Sequence, residues 1–455
     1  MRKFFLKDKE ILSVGFFGLG KSNAGVMNYL AVHYPHLRFT LRQDNPIYAD
    51  GVHLSSKFNR IFIGKNSLAE PSEDVLFISP TVKRERLTPL FGDRISSDAE
   101  FFFEGAEYPV FSITGSDGKS TTTTLSSLLL SFDGVRAPAI GNIGVAMTPM
   151  LDAGCNYAVA ELSSFQLMNL SPKSERAYVT NISPNHLDFH SSFDEYIAAK
   201  SRIFERAQQC CVNLDDEISL GFAPRDRIYA AVSTERLFED ARGLINAEVY
   251  ITLKGGYIQR NGVNIFDTST MRCRTAHTVK NLAAAIAITD GYTTDKRICE
   301  VGREFSGLSH RCELVGEFLG IKYYNSSIDS TPKRTATTLG SFEGKPIVIL
   351  GGKGKGLSYT ELLPAVRDHA SAVVITGANG DEIETALLPL RNIIPIYRKG
   401  IFRDAVLCAI GIAKKGDSVL LSPASTSFDA FRDFNERGNK FKEIIKNFYY
   451  KGTVI

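Results

Sequence analysis

Five side chains of types that handle phosphate and cations stand out in this chain: Lys119, Ser120, Glu161, His186 and Lys200. The first two close the run VFSITGSDGKST that starts at Val110. There an apolar, β-prone stretch (Val110, Phe111, Ile113) meets a glycine turn, and leucines then recur at helical spacing through Leu125, Leu128 and Leu129. Strand, loop and helix in that order bring the amides of Gly115, Ser116, Asp117, Gly118, Lys119 and Ser120 to a helix N-terminus, where unpaired N–H groups and the helix dipole favour an anion. Phosphate is the natural occupant. Lys119 would supply positive charge to the β- and γ-phosphates, and the Ser120 hydroxyl an oxygen for the accompanying Mg²⁺. Ile113 stands where the strict phosphate-loop pattern has its first glycine, so a bare glycine turn capped by serine and threonine is the alternative.

The other three residues are set by neighbouring elements. Glu161 interrupts the apolar run Ala158-Val159-Ala160. An isolated buried carboxylate is costly, so Glu161 is expected at the strand's carboxyl edge, facing a cation or a salt-bridge partner. A strand expected over Tyr178 to Ile182 delivers Ser183-Pro184-Asn185-His186 to the same edge, where open α/β sheets bind ligands, although a lone histidine is as readily structural. Helical periodicity over Phe193 to Arg206 puts Lys200 on or beside the apolar face, where a lysine either snorkels or functions. The turn Gly141-Asn142-Ile143-Gly144 places an amide side chain between two glycines, and His277 to Asn281 opens an alanine-rich helix.

Elements of the same kind flank this centre. Upstream, a strand over Ile11 to Phe17 runs into Gly18-Leu19-Gly20-Lys21-Ser22-Asn23 and a helix over Val26 to Val32, an incomplete dinucleotide fingerprint with Asn23 at its third glycine position. The next strand, Arg38 to Leu41, ends in Arg42 where an acidic residue would hold an NAD ribose. A Rossmann-like domain gripping another nucleotide or diphosphate is expected, with Arg42 available to stack on or hydrogen-bond a base. Downstream, strands at Ile321 to Tyr324, Pro346 to Leu350, Ala372 to Thr376 and Ser418 to Leu421 alternate with helices. They lead into Gly351-Gly352-Lys353-Gly354-Lys355-Gly356 and Ser422-Pro423-Ala424-Ser425-Thr426-Ser427, ahead of an amphipathic helix carrying Phe431, Phe434 and Phe441.

A chain of 455 residues that is 44% hydrophobic is too long for one core. The α/β class is expected in three domains, each a mostly parallel sheet flanked by helices: a Rossmann-like one over residues 1–103, a P-loop mononucleotide-binding one over 104–308 and a Rossmann-like one over 309–455. Lysine and arginine total 53 against 50 acidic residues and tryptophan is absent, which gives no reason to expect nucleic-acid binding. Seven cysteines without a CxxC pair fit neither a disulfide framework nor a zinc knuckle. No signal peptide or membrane span is evident, and a cytoplasmic protein is expected.

In order, TGSDGKST, GNIG, ELSSFQL, NISPNHLD, YIAAKSRIF, HTVKN, SHR, GGKGKG and LSPASTSFDAFRDFNERG resemble the motifs of the Mur ligases across nearly the whole chain. The C-terminal block points to the member that joins D-glutamate to UDP-N-acetylmuramoyl-L-alanine in peptidoglycan precursor synthesis. The resemblance implies domains binding the UDP-sugar, ATP and the amino acid in turn. It also implies an acyl-phosphate made with the γ-phosphoryl of ATP, and a tetrahedral intermediate formed by the incoming amine. By motif position, Gly115, Ser116, Asp117, Gly118, Lys119, Ser120, Thr121, Asn281 and Arg311 correspond to the ATP site. Ser120 and Glu161 correspond to ligands of one Mg²⁺ and His186 of a second, while Lys200 corresponds to a lysine that becomes a carbamate, a carboxylate-like donor. Lys119, His186 and Lys200 are the implied catalytic set. Leu19, Gly20, Lys21, Ser22 and Arg42 correspond to the uridine site, Asn142 and Ser163 to the sugar-diphosphate contacts, and Lys355, Ser427 and Phe434 to the D-glutamate site. A monomer is expected.

The chain departs from the family pattern at Ser326 and Ile328, which replace an aspartate and a lysine, at Thr278, which replaces an asparagine, and at Thr81, which replaces a glycine. A sibling ligase for another amino acid and a folylpolyglutamate-synthase-like ligase are rival readings, the second disfavoured by the separate N-terminal domain. A non-catalytic nucleotide-binding scaffold has no need of the Lys119, Ser120, Glu161, His186 and Lys200 set.

Overall fold

The computed structural model describes residues 3–6, 8–44, 58–185, 189–342 and 344–450. The chain divides into two compact units, Met1–Phe305 and Ser306–Ile455.

The first unit holds two large sheets and a short hairpin, Phe4–Leu6 with Lys9–Ile11. Its N-terminal sheet is wholly parallel, in the order Arg60–Ile63, Arg38–Gln43, Ser13–Phe17, Val75–Ile78, Ile95–Ser96. The helix Lys21–His33 follows the central strand, as the glycine turn at residues 18–20 requires. The fingerprint's third position has a clear use: the Asn23 side chain is buried and its Nδ2 donates to the carbonyls of Phe17, Gly18 and Phe77, joining the ends of two adjacent strands.

The central sheet has nine strands, ordered Val263–Asp267, Tyr257–Arg260, Val249–Lys254, Ile228–Ser233, Ala207–Asn213, Ser174–Val179, Val110–Thr114, Ala158–Glu161, Ala139–Gly141. Seven are parallel, and the first two form an antiparallel extension. Val110–Thr114 is fully buried and lies between two strands that come later in the chain. Helices Lys119–Leu130 and Ala276–Thr289 pack on the sheet and on each other, the alanine-rich face of the second allowing close approach. The strand expected over Tyr178 to Ile182 runs instead from Ser174 to Val179, because Thr180 and Asn181 turn to brace the phosphate loop. The helix expected over Phe193 to Arg206 is α-helical only to Ser201 and tightens into a 3₁₀ turn at Arg202–Phe204.

The second unit carries a six-stranded sheet, Glu313–Phe318, Ile321–Asn325, Ser418–Leu421, Ile347–Gly351, Ala372–Thr376, Ile396–Arg398, parallel except for the first pair. Two buried apolar clusters cover its faces, one on the final helix Phe434–Tyr450 and one on the helices at Pro332–Ser341 and Leu362–His369. Phe431 lies before that final helix rather than in it, at the end of a separate turn in which its N–H donates to the Ser427 carbonyl at 2.9 Å. In this unit too, the loops that carry chemistry leave the carboxyl edge of the sheet.

Candidate active site

The phosphate loop is shaped by two glycines with positive φ. Gly115 (φ +142°) passes so close to Thr180 that a Cβ would collide with its hydroxyl, and Gly118 (φ +78°) passes so close to Asn281 that a Cβ would lie 2.5 Å from Oδ1. The loop is braced from the neighbouring strand end. Ser116 N donates to Asn181 O at 2.8 Å, Asp117 N to Asn181 Oδ1 at 3.0 Å, and Thr180 Oγ1 to Asp117 O at 2.5 Å. Helix Lys119–Leu130 begins at Gly118 with no side-chain cap, so its first amides are available to an anion. Lys119 Nζ donates to the carbonyls of Gly115 and Ser116 at 2.9 and 2.8 Å. Asn281 enters from the alanine-rich helix and accepts from Thr122 Oγ1 at 3.3 Å, so it lies against the loop and the first turn of its helix.

Beside the loop sits a buried acid with an unmet need. Glu161 is 1% exposed; its Oε1 accepts from Asn142 Nδ2 at 2.7 Å, while Oε2 is buried with no hydrogen-bond partner. An orphaned carboxylate oxygen in the interior calls for a cation. Ser120, also buried, stands at the first turn of the phosphate-loop helix. Among the described residues no group of three His, Cys, Asp or Glu forms a cage. The donor set suits Mg²⁺, which takes one or two protein oxygens and completes its shell with phosphates and water.

Lys200 is 1% exposed and donates to Thr114 Oγ1 at 3.1 Å and Gly115 O at 2.6 Å. Burial, and next the charge of Lys119, hold its ammonium well below the usual lysine value, with Glu161 and Asp117 opposing. Tyr196, one helical turn earlier, lays its ring beneath this nitrogen and its hydroxyl 2.9 Å from Ser116 Oγ. His186 lies outside the described residues. The structure thus brings Lys119, Ser120, Glu161, Lys200, Asn142 and Asn281 together around Gly115–Ser120. Thr114, Thr180, Asn181 and Tyr196 belong to the same site and were not foreseen, since each sits at a strand end or in a helix with nothing local to mark it.

Around the N-terminal sheet, Leu19 to Ser22 form the turn into helix Lys21–His33, whose N-cap Gly20 offers no side chain. Lys21 Nζ reaches the Gly144 carbonyl, joining this turn to the one that carries Asn142. Asp98 holds the same segment from below, accepting from Thr148 N at 2.9 Å and Thr148 Oγ1 at 2.5 Å; burial raises its pKa. A small cleft opens nearby, lined in part by Ser22, Ser79, Arg84, Phe165, Gln166 and Asn169. Ser163 caps the short helix Ser164–Leu167, its hydroxyl donating to Gln166 Oε1 at 2.9 Å.

Arg42 requires a correction. It is fully buried, and all five of its N–H donors are taken: Nε and Nη2 by the Glu73 carboxylate, Nη1 by Ser67 O and Ala69 O, and Nη2 also by Glu70 O. Phe62 and Phe91 cover its faces at 4.5 and 5.4 Å. Arg42 ties residues 67–73 to its strand and keeps nothing for a base.

In the second unit, Arg311 sits between two residues in the left-handed region, His310 (φ +63°) and Cys312 (φ +46°). Asn325 holds the His310 ring at 2.9 Å, and Ser326 Oγ accepts from Cys312 N at 3.1 Å. Ser326, at the position where the family pattern has an aspartate, therefore serves the backbone beside Arg311. Lys355 Nζ lies 3.4 Å from Ser330 Oγ on the adjoining loop. Ser427 is buried, and its carbonyl starts the turn through Ala430 and Phe431. Phe434 opens the final helix, and its carbonyl accepts from Ser327 Oγ at 2.8 Å.

With a mostly parallel central sheet, a phosphate loop leaving one of its interior strands and a buried acid beside it, the first unit has the architecture of a mononucleotide-binding fold. Residues 113–289 match the Mur ligase middle domain. Full-length relatives extend that match over both flanks, and the chain belongs to the Mur ligase family. It is 34% identical, over 97% of its length and 98% of theirs, to the UDP-N-acetylmuramoylalanine–D-glutamate ligase of Ruminiclostridium cellulolyticum. With the enzyme of that name from Clostridium beijerinckii it shares 35% identity over 98% of its length and 100% of the relative's. Among solved structures, UDP-N-acetylmuramate-alanine ligase from Thermotoga maritima superposes with a TM-score of 0.57 at 16% identity, covering 96% of this chain and 99% of that one. Folylpolyglutamate synthase from Mycobacterium tuberculosis gives a TM-score of 0.52 at 14% identity over 81% of this chain and 95% of that one, a likeness of fold alone.

Proposed function

We propose that this chain is an ATP-dependent ligase that adds D-glutamate to UDP-N-acetylmuramoyl-L-alanine in peptidoglycan precursor synthesis. The full-length relatives support the substrates. The observation that supports the chemistry is the convergence of Lys119, Lys200 and the orphaned Glu161 carboxylate on one phosphate loop. In this reading residues 1–103 bind the UDP-sugar, 104–308 bind ATP and 309–455 bind the amino acid, in a monomeric cytoplasmic enzyme. No helix among the described residues is long and apolar enough to cross a membrane.

The substrate carboxylate oxygen attacks the γ-phosphorus of ATP, and the P–O bond to ADP breaks with its electron pair on ADP. The uncapped amides at Gly118–Ser120 hold the phosphates, and Lys119 and Arg311 offset the charge that develops on them. Ser120 and Glu161 would hold one Mg²⁺, His186 and a carbamoylated Lys200 a second; bound there, Mg²⁺ cancels phosphate charge and aligns the transferred group. The D-glutamate amine then attacks the acyl carbon, giving a tetrahedral intermediate that loses a proton and expels phosphate. Lys355, Ser427 and Phe434 are proposed to hold the amino acid, the lysine pairing with a carboxylate. Leu19, Gly20, Lys21, Ser22, Asn142 and Ser163 are proposed for the UDP-sugar.

Phosphate release from ATP with UDP-N-acetylmuramoyl-L-alanine and Mg²⁺ tests this, comparing D-glutamate with L-glutamate, glycine, L-alanine and L-lysine. Release that depends on D-glutamate is expected. Release with a different amino acid would move the specificity, and no release with any would overturn the reading.

A further inference from the structure

Two loops at the carboxyl edge of the second unit's sheet carry the residues proposed for the amino acid. Lys355 is on the loop after Ile347–Gly351, and Ser427 on the loop after Ser418–Leu421. A buried polar cluster centred on Asn379, itself 4% exposed, fixes one loop against the other. Asn379 Oδ1 accepts from Gly352 N at 2.9 Å, and Asn379 N donates to Gly352 O at 3.0 Å, so both backbone polar groups of Gly352 are held by one residue. Its Nδ2 donates to Ser425 Oγ at 2.7 Å and reaches the Tyr359 hydroxyl, which lies 3.0 Å from the same Ser425 oxygen. From the other side, Arg437 Nη1 donates to the carbonyls of Ser425 and Thr426, each at 3.0 Å.

The loops also meet backbone to backbone. Lys353 and Thr426 exchange N–H···O bonds of 2.9 and 3.0 Å. A Cβ on Gly352 (φ +150°) would collide with the Thr426 carbonyl. A carboxamide offers an acceptor and a donor fixed in one plane, which is what bridging a glycine N–H and a serine hydroxyl requires. Removing it strands the Gly352 N–H in the interior and leaves the Ser425 hydroxyl with Tyr359 alone.

We propose that Asn379 is a positioning residue for the amino-acid site. It acts through Gly352 and Ser425 to set the spacing of Lys355 and Ser427, which a dicarboxylate amino acid must match. The inference rests on the reading of those two residues as the amino-acid contacts; Asn379 itself touches no ligand.

Steady-state kinetics of the full-length enzyme, varying each substrate in turn, test it. Asn379→Ala should raise KM for the amino acid about tenfold or more while KM for ATP moves less than about twofold. Asn379→Asp keeps the acceptor for Gly352 N and lets the Ser425 and Tyr359 hydroxyls donate to it, and should recover most of the loss. Tyr359→Phe, which deletes one hydroxyl of the cluster, should raise the same KM about two- to threefold with its thermal midpoint retained; it decides the matter if Asn379→Ala does not fold. An unmoved amino-acid KM, or equal rises for all three substrates, would overturn the inference alone. No turnover by the unmodified enzyme with any amino acid would overturn the functional reading and this inference with it.

Discussion

Lys119 and Lys200 donate to the same acceptor, the Gly115 carbonyl, at 2.9 and 2.6 Å. Two ammonium groups on one oxygen disfavour each other's charge, and the more deeply buried one yields first. Lys200 is that one, its pKa pushed well down by burial and by Lys119. A neutral amine is the form that adds CO₂, which is the step the carbamate proposed at Lys200 requires.

Enriched ¹³C-bicarbonate should therefore give a carbamate resonance near neutral pH in the unmodified enzyme and none in Lys200→Arg. Lys119→Ala removes the repulsion that adds to burial in lowering the Lys200 pKa, and should weaken the resonance at fixed pH. A signal indifferent to both substitutions would exclude Lys200 as its source.

Glu161→Gln retains shape but cannot neutralise a cation. Turnover should fall on the order of 100-fold. The readout independent of activity is thermal: Mg²⁺ with a nucleotide should raise the melting temperature of the unmodified protein and fail to do so in Glu161→Gln, because the contact proposed for the ion is the orphaned Oε2. Equal shifts in both proteins would move the ion elsewhere.

Gly115→Ala places a methyl against the Thr180 hydroxyl at a φ of +142° that alanine rarely adopts. The cost should be about 3 kcal/mol or more in urea unfolding, with loss of nucleotide binding in whatever fraction folds. Pairing it with Thr180→Gly should recover part of the stability but not the part due to φ.

Arg42→Ala should destabilise by about 3 to 5 kcal/mol, since it leaves the Glu73 carboxylate buried without its partner. The decisive comparison is binding: the folded fraction should keep its affinity for the UDP-sugar within about twofold, because every Arg42 donor faces protein. A selective loss of that affinity would return Arg42 to the ligand.

His190 and His310 are buried and their pKa values are lowered chiefly by burial. The unfolded chain, with ordinary imidazoles, thus takes up protons at a higher pH than the native one. Stability should be intact above about pH 6.5 and fall as pH drops below it, where unfolding binds more protons. His190→Gln should flatten that slope in denaturation measured from pH 7.5 to 5.0. His190 also lies between Ser164 Oγ at 2.9 Å and Glu195 at 3.6 Å, both of which face the ring that titrates.

Local patterns were readable where the signal is local. The strands Val75–Ile78, Ala372–Thr376 and Ser418–Leu421 fall where apolar runs meet turn residues, and the phosphate loop announces itself through Gly118-Lys119-Ser120. Arg42 was misread because a strand-end arginine looks the same whether it faces a ligand or a glutamate 31 positions away. Asn379 and Asp98 were overlooked for the same reason: each acts on a partner brought near only by the sheet. The antiparallel extension at Tyr257–Asp267 was missed because short strands on a sheet's edge alternate too weakly to stand out.

The position of Val110–Thr114 between two later strands also governs how the protein is made. The N-terminal sheet has all its strands once residue 96 has been synthesised, whereas the phosphate loop has no walls until Ala158–Glu161 and Ser174–Val179 emerge, and no brace until Thr180 and Asn181 do. A nascent chain halted before residue 174 exposes a strand of unpaired backbone on a ribosome-bound intermediate, the surface that chaperones recognise and that aggregates when they are absent.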